Sequence, residues 1–559
     1  MMVRIQGCFT PLLSLLSLTF LIAAAVGSNC KSSSYFKDSG PLVKTTTGSI
    51  IGKNIKLFDT TIAGFFGIPF AEPPLGEKRF KRPEPVKPWP GILDATQLPP
   101  PCMQYSSRKF DWLPITPPSE NCLFLNIWSP AKVCNKVTHD IPVIVWIHGG
   151  GFYSGSTDLD IYDGSTIAAL GNVVVVSISY RVGVFGFLNL GTKDAEGNMG
   201  LFDQTLALEW ITNNIKYFRG DSESITLMGE SAGALSVSMH IISPLSRKLF
   251  HRAILQSGSA YHSLFVDNLE QAKVKALTFA QMVGCGPENV DGSAKELVFC
   301  LQKKDPTDLA KAEDIFTSKL PFLFLPSIEN DFLPKNPIKA FQTEQIDVDV
   351  LIGTTKNEGS IFLNYMMADL FPLLQNPKID NETALPIIRA LFQTVPSVSA
   401  DNVFKFYLKN IPPGDSVAIA TAISDSFGDY AINCPTLYLA ENLNHAYSYW
   451  FTHQSLNHQN SEWLGVTHFD DVPYTFGLPI KDDQYTPEDG RFSRDLIHKW
   501  VSFARCGHPL EEGRKNEWPK FNATCPISYE LNARNQRTLL FPRMEACEFW
   551  RPYFSIDSS

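Results

Sequence analysis

Ser224-Ile-Thr-Leu-Met-Gly-Glu-Ser231-Ala-Gly-Ala234 reads as a short apolar strand that runs through a tight turn into a helix. The strand is Ser224 to Met228, and apolar residues continue at helical density from Ala234 to Ile242. Between them, Gly229-Glu-Ser-Ala-Gly233 fits the G-x-S-x-G pattern, which places a serine on a strained strand-to-helix turn with its hydroxyl exposed at the end of a sheet. Gly229 and Gly233 lack Cβ atoms, so strand and helix can approach closely there. Upstream stands His148-Gly-Gly-Gly-Phe-Tyr153, a glycine loop of the kind whose backbone N–H groups bind an oxyanion. The two patterns together, in this order, point to a serine nucleophile that works through an acyl-enzyme.

The flanking sequence repeats the same layout. Val143-Ile-Val-Trp-Ile147 runs straight into the glycine loop, and Val173 to Ile178 is apolar without alternation, as in a parallel sheet covered on both faces. Asn198-Met-Gly200 breaks the chain, and Leu201 to Ile215 then carries apolar residues at helical spacing. Strand and helix alternate, which is a doubly wound α/β layout. Beyond residue 260 the chain is less regular, with no internal repeat, low-complexity stretch or long linker.

The chain has 559 residues, 44% hydrophobic and 19% charged, a globular composition. Its net charge of −9 excludes a general nucleic-acid role, which needs a basic surface. The same charge is compatible with drawing in a cationic substrate. Arg4 followed by the apolar run Pro11 to Val26 and the small residues Ala25-Val-Gly27 reads as a signal peptide over 1–27, leaving 28–559 as one catalytic domain. No later segment is apolar enough to span a membrane, so a secreted, extracellular protein is expected. Eleven cysteines fit that compartment; Cys8 leaves with the signal, and an even number remains. Asn381-Glu-Thr383 and Asn522-Ala-Thr524 are acceptor sites for glycosylation.

Several longer stretches carry a resemblance. They are Phe65-Phe-Gly-Ile-Pro-Phe-Ala-Glu-Pro-Pro-Leu-Gly76 with Arg79-Phe80, Glu120-Asn-Cys-Leu-Phe-Leu-Asn-Ile-Trp128, Gly197-Asn-Met-Gly-Leu-Phe-Asp-Gln204 and Ala253-Ile-Leu-Gln-Ser-Gly258. With the two catalytic patterns, they make the chain resemble the type-B carboxylesterase and cholinesterase family over nearly its whole mature length. The resemblance implies the α/β-hydrolase fold, a large mostly parallel sheet flanked by helices with long insertions. It also implies a triad of Ser231, Glu358 (in Lys356-Asn-Glu-Gly-Ser360) and His468 (in Gly465-Val-Thr-His468). The order of residues alone leaves His445, His453, His458, His468, His498 and His508 as candidate bases; the resemblance selects His468. Family disulfides map onto Cys102–Cys122, Cys285–Cys300 and Cys434–Cys547. Cys506–Cys525 and Cys30–Cys134 are then the expected pairs among the remainder.

The chemistry follows from those roles. His468 takes the serine proton and returns it to the leaving alcohol, Glu358 orients the imidazole, and the N–H groups of Gly150, Gly151 and Ala232 hold the oxyanion. No metal or organic cofactor is required, and the partner is a small-molecule ester.

For the substrate pocket the resemblance gives mixed signs. Trp112, ten residues before Cys122, stands where cholinesterases hold a quaternary ammonium, and Tyr162 and Glu230 match the same site. Ile361, beside Phe362, replaces a usual gorge aromatic. Leu264 and Leu320 replace acyl-pocket aromatics, of which Phe322 survives, so longer acyl chains should be admitted. Phe469 follows His468 where glycine is common, and a bulkier neighbour there can shift the imidazole or narrow the entrance. The expectation is a broad secreted carboxylesterase with cholinesterase-like features. The alternatives are a cholinesterase proper and a catalytically silent adhesion or binding member.

Overall fold

Side chains alternate across a strand, so a strand is apolar throughout only where both faces of its sheet are covered. In the computed structural model Val143, Val145 and Ile147 enter one hydrophobic core, while Ile144 and Trp146 enter a second on the opposite face. The same division holds for Leu227 against Met228 and for Leu255 against Ile254. The structure describes residues 40–554 except 108–112, 115, 131–140, 287–292, 318–322, 396, 458–459 and 511–516. The expected signal peptide, Cys30, Trp112, Cys134, Leu320, Phe322 and His458 lie outside the described residues.

An 11-stranded sheet lies between the two cores. Its strands in chain order are β1 (Lys53–Leu57), β2 (Thr60–Pro69), β3 (Phe124–Pro130), β4 (Ile141–Ile147), β5 (Val174–Ile178) and β6 (Gly220–Glu230). They continue as β7 (Arg252–Gln256), β8 (Asp349–Thr355), β9 (Ala446–Phe451), β10 (Ile527–Leu531) and β11 (Arg537–Leu540). The spatial order is β11-β10-β9-β8-β7-β6-β4-β5-β3-β2-β1. From β10 across to β5 all neighbours run parallel. Antiparallel pairs close both edges. This is the large, mostly parallel sheet expected from the sequence.

The helices that matter for the site are α1 (Met199–Asn214), α2 (Ala232–Ile242), α3 (Leu269–Met282), α4 (Ser360–Met366), α5 (Ser416–Gly428) and α6 (Pro487–Cys506). α2 follows β6 directly and every one of its residues is buried. α5 passes into a π-turn, Asp429–Asn433. The expected break at 198–200 is narrower in the structure: Asn198 adopts φ 60°, and Met199 and Gly200 already belong to α1. A single left-handed residue suffices to stop the preceding segment, and glycine at the second helical position does not prevent the helix from starting.

Cys102–Cys122, Cys285–Cys300 and Cys434–Cys547 are bonded as the resemblance implies. The expected Cys506–Cys525 pair is not formed. Cys506 is an exposed free thiol at the end of α6 and lies over the Ser502 carbonyl at 3.0 Å, whereas Cys525 is disulfide-bonded to a different residue. The pair was expected only because these cysteines remained after the family disulfides were assigned, and the fold does not bring them together. Asn522 is exposed, while Asn381 is half-buried at the start of a helix. No helix among the described residues is long and apolar enough to cross a membrane.

Candidate active site

The parallel strands deliver their following residues to one edge of the sheet, where α/β folds place ligands. β4 ends at Ile147 and leads into the glycine loop; β6 ends at Glu230 and leads into Ser231; β8 ends at Thr355, three residues before Glu358. Ser231 is held at φ 55° and ψ −124°, a conformation that costs roughly 1–3 kcal/mol for a residue with a side chain. Two backbone bonds fix it there: Ser231 N–H donates to Gln256 O at 2.9 Å, and Leu235 N–H donates to Ser231 O at 2.9 Å. The close approach of β4 to α2 explains Gly233, where a Cβ would fall 2.0 Å from the Ile147 carbonyl oxygen.

The oxyanion loop is built by its own turn. Gly150 sits at φ 105°, a Cβ on it would meet Ser154 O at 2.3 Å, and its carbonyl accepts from Tyr153 N–H and Ser154 N–H. Gln104 clamps the loop from outside, donating to Gly155 O at 2.8 Å and accepting from Gly155 N–H at 2.9 Å. This leaves the N–H groups of Gly150, Gly151 and Ala232 without an acceptor among the described residues. Three unsatisfied donors beside a serine form a site for developing negative charge.

His468 reaches Glu358 through a local splice rather than through a sheet strand. Asn357 N–H donates to Val466 O at 2.8 Å, and Val466 N–H donates to the Asn357 side-chain oxygen at 3.0 Å. The histidine segment is thereby laid alongside the glutamate turn. His468 Nδ1 and Glu358 Oε2 are 2.6 Å apart. The other carboxylate oxygen accepts from Ser257 Oγ at 2.7 Å and Thr355 N–H at 2.6 Å. His468 Nε2 faces the cavity 3.0 Å from Glu230 Oε1 and makes no hydrogen bond, to Ser231 Oγ or to any other described group.

Three acidic side chains act on this imidazole, Glu230, Glu358 and Asp471, and Asp470 lies beside the last two. Burial works against a charged imidazole, but the Glu230 and Glu358 carboxylates together outweigh it and raise His468 to about 9. Burial also pushes Glu230 up to about 8, against the pull of His468 and with Asp471 and Glu358 adding to the rise. Asp471 accepts from Gln256 Nε2 and the Tyr449 hydroxyl, and burial raises it to about 6. Burial thus favours the protonated form of Glu230 and Asp471, and the neighbouring carboxylates favour the protonated form of His468.

The cavity at this edge has a free volume of about 60 Å³. Gly150, Gly151, Glu230, Ser231, Ala232, Ile361, Phe362 and His468 all line it, so these expected residues are brought together. Glu358 lies one layer behind, screened by the imidazole. Tyr162 does not line the cavity as expected: it is buried behind Phe469, whose ring meets it edge-on at 6.3 Å. Leu264 also falls elsewhere, in a neighbouring cavity, and its successor Phe265 takes the place on the catalytic wall. Phe469 lines the cavity, and at φ 84° it holds a backbone conformation suited to glycine. Sequence reasoning missed Gln104, Asn357, Ser257, Leu235, Phe265, Tyr365 and Ile432. Ser257 and Asn357 lay inside quoted motifs; the others carry no local signal. Among the described residues no group of His, Cys, Asp and Glu is placed to hold a metal ion.

Comparison with known proteins agrees with the geometry. A sequence model of the carboxylesterase family matches residues 39–550. The chain is 38% identical over 529 residues to the acetylcholinesterase of Bungarus fasciatus, covering 91% of this chain and 86% of that one. It is likewise 38% identical over 531 residues to the cholinesterase of Mus musculus, covering 92% and 87%. With a strained serine, a glutamate-bound histidine and free amide donors on one cavity, and with these relatives along its length, the chain belongs to the carboxylesterase family of serine ester hydrolases.

Proposed function

We propose that Ser231, His468 and Glu358 hydrolyse carboxylic esters through an acyl-enzyme on Ser231, in a secreted protein whose catalytic domain runs from residue 28 to 559. The observation that carries this reading is the shared cavity. Ser231 and His468 both open onto it beside three unpaired N–H groups, with Glu358 fixed 2.6 Å behind the imidazole. His468 Nε2 accepts the serine proton as the hydroxyl attacks the ester carbon. The tetrahedral oxyanion settles on the Gly150, Gly151 and Ala232 N–H groups, each worth about 2.7–4 kcal/mol to such a transition state. The protonated imidazole then gives its proton to the leaving alcohol, and water repeats the sequence to release the acid.

The lining around Ser231 is mostly aromatic and aliphatic, which supports uncharged esters as the main substrates. A second reading, choline esters, is favoured by the Glu230 carboxyl on the cavity wall and by the cholinesterases among the relatives. Hydrolysis of acetyl- and butyrylthiocholine measured against uncharged p-nitrophenyl esters separates the two. Trp112→Ala is expected to lower the choline-to-neutral ratio if the second reading holds. Ser231→Ala is expected to reduce kcat by about 10⁶-fold and to abolish labelling by a fluorophosphonate. A variant that keeps its turnover removes the proposal.

A further inference from the structure

Two of the three oxyanion donors, the Gly150 and Gly151 N–H groups, sit on a loop that has reason to turn them elsewhere. A buried N–H without a partner has lost its hydration, and glycine lets a peptide rotate until it finds an acceptor. Four residues here hold positive φ: Gly150 at 105°, Gly151 at 63°, Phe152 at 66° and Gly155 at 103°. The donors therefore stay aimed at the cavity only while the loop is held from outside.

The holds come from two parts of the chain. From the segment after β5, the Tyr180 hydroxyl donates to His148 O at 2.8 Å, Gly183 N–H donates to Phe152 O at 2.7 Å, and Ser179 Oγ meets Thr157 Oγ1 at 3.0 Å. The second set comes from the disulfide-closed loop between Cys102 and Cys122. Gln104 is buried there. Its amide nitrogen donates to Cys102 O at 3.0 Å and to Gly155 O at 2.8 Å, and its amide oxygen accepts from Gly155 N–H at 2.9 Å. Thr116, farther along the same loop, donates from its N–H and its hydroxyl to one carboxylate oxygen of Asp158. The base of the loop is closed by the Cys102–Cys122 bond and by Ser119 N–H, which donates to Pro101 O at 2.9 Å.

Gly155 passes this hold on by contact. A Cβ on it would fall 2.4 Å from Gly149 O and 2.5 Å from His148 Nδ1, so its backbone lies directly against the start of the oxyanion loop. A side-chain amide offers a donor and an acceptor together, which a carboxylate or a thioether does not. We propose that Gln104 is a positioning residue for the oxyanion hole, and that the Cys102–Cys122 bond acts on turnover by fixing Gln104. This rests on the reading of Gly150 and Gly151 as oxyanion donors to an ester attacked by Ser231. The hole is filled in the transition state rather than in the bound ester, so loss of the clamp lowers kcat and leaves KM nearly constant.

The test is hydrolysis of p-nitrophenyl butanoate by the full-length protein, with rates taken per Ser231 that a fluorophosphonate labels at completion. A misplacement of roughly 1 Å can cost about 100-fold, so Gln104→Met is expected to lower kcat about 10- to 100-fold with KM within about twofold. A trifluoromethyl ketone, which forms an oxyanion on the serine, is expected to lose affinity by the same factor. A merely structural role would change the labelled fraction and leave kcat per labelled site and ketone affinity alone. Gln104→Glu keeps the acceptor for Gly155 N–H and is expected to fall between Gln104→Met and the unmodified protein. Cys102→Ala with Cys122→Ala is expected to reproduce the loss, and adding Gln104→Met to that pair to cost no more than about twofold further. Unchanged kcat per labelled site in Gln104→Met, or a loss carried by KM with ketone affinity intact, overturns the role of Gln104. Additive losses in the combined variant overturn the part given to the disulfide. Absence of both turnover and label in the unmodified protein overturns the esterase reading itself.

Discussion

At the scale of single residues, the site is organised around where His468 keeps its proton. A neutral imidazole is the form that can accept from Ser231. With its pKa raised to about 9 by the two flanking carboxylates, that form grows as pH rises and is lost as pH falls through that value. kcat/KM is therefore expected to climb through the mildly alkaline range. Glu230→Gln removes one of the two charges that raise the histidine, so the climb should move toward lower pH. A pH–rate profile checks this, and a shift to higher pH contradicts the assignment. The Ser231 turn and the glycine loop were legible in the sequence as motifs, whereas Glu358 and His468 came from the family resemblance, since residue order alone left six histidines open. The roles of Gln104 and Asn357 were not legible, although Asn357 sits inside a quoted motif, since each acts through bonds to backbone far away in the chain that no local pattern encodes. Tyr162 and Leu264 were placed one layer too near the chemistry, because a resemblance transfers position along the chain but not which neighbour covers a side chain.

At the scale of elements, the strands and helices around Ser231 follow apolar runs and glycine punctuation closely, and they appear where the sequence put them. The C-terminal half was harder to read. Its helices pack against one another and are joined to the site by Cys434–Cys547, which closes 113 residues. Chain entropy assigns a loop of roughly 100 residues about 4.7 kcal/mol of stabilisation and a 15-residue loop about 3 kcal/mol. Paired replacement Cys434→Ala with Cys547→Ala should therefore lower the thermal midpoint more than Cys285→Ala with Cys300→Ala, whose bond closes 15 residues. Calorimetry of both variants decides it; the reverse order refutes the entropic account. Gly233→Ala tests the strand–helix contact independently. With 2.0 Å between the new Cβ and Ile147 O, α2 must move, and turnover is expected to fall at least tenfold with Ser231 intact.

At the scale of the whole molecule, the net charge of −9 acts on encounter rather than on chemistry. Salt should slow kcat/KM for a thiocholine ester between about 10 and 150 mM, as the screening length shrinks from about 30 to 8 Å, and leave an uncharged ester unaffected. Stopped-flow or steady-state assays at several ionic strengths read this directly, and equal salt dependence for both substrates argues against steering. Global stability is linked to the site in a different way. Ser231, Ser257 and Phe469 all hold positive φ, at 55°, 53° and 84°, and each would relax if replaced by glycine. A mutant library sorted only for survival on heating would thus be rewarded for glycine at 231, 257 and 469. Such a population would grow hardier generation by generation while its esterase signal faded.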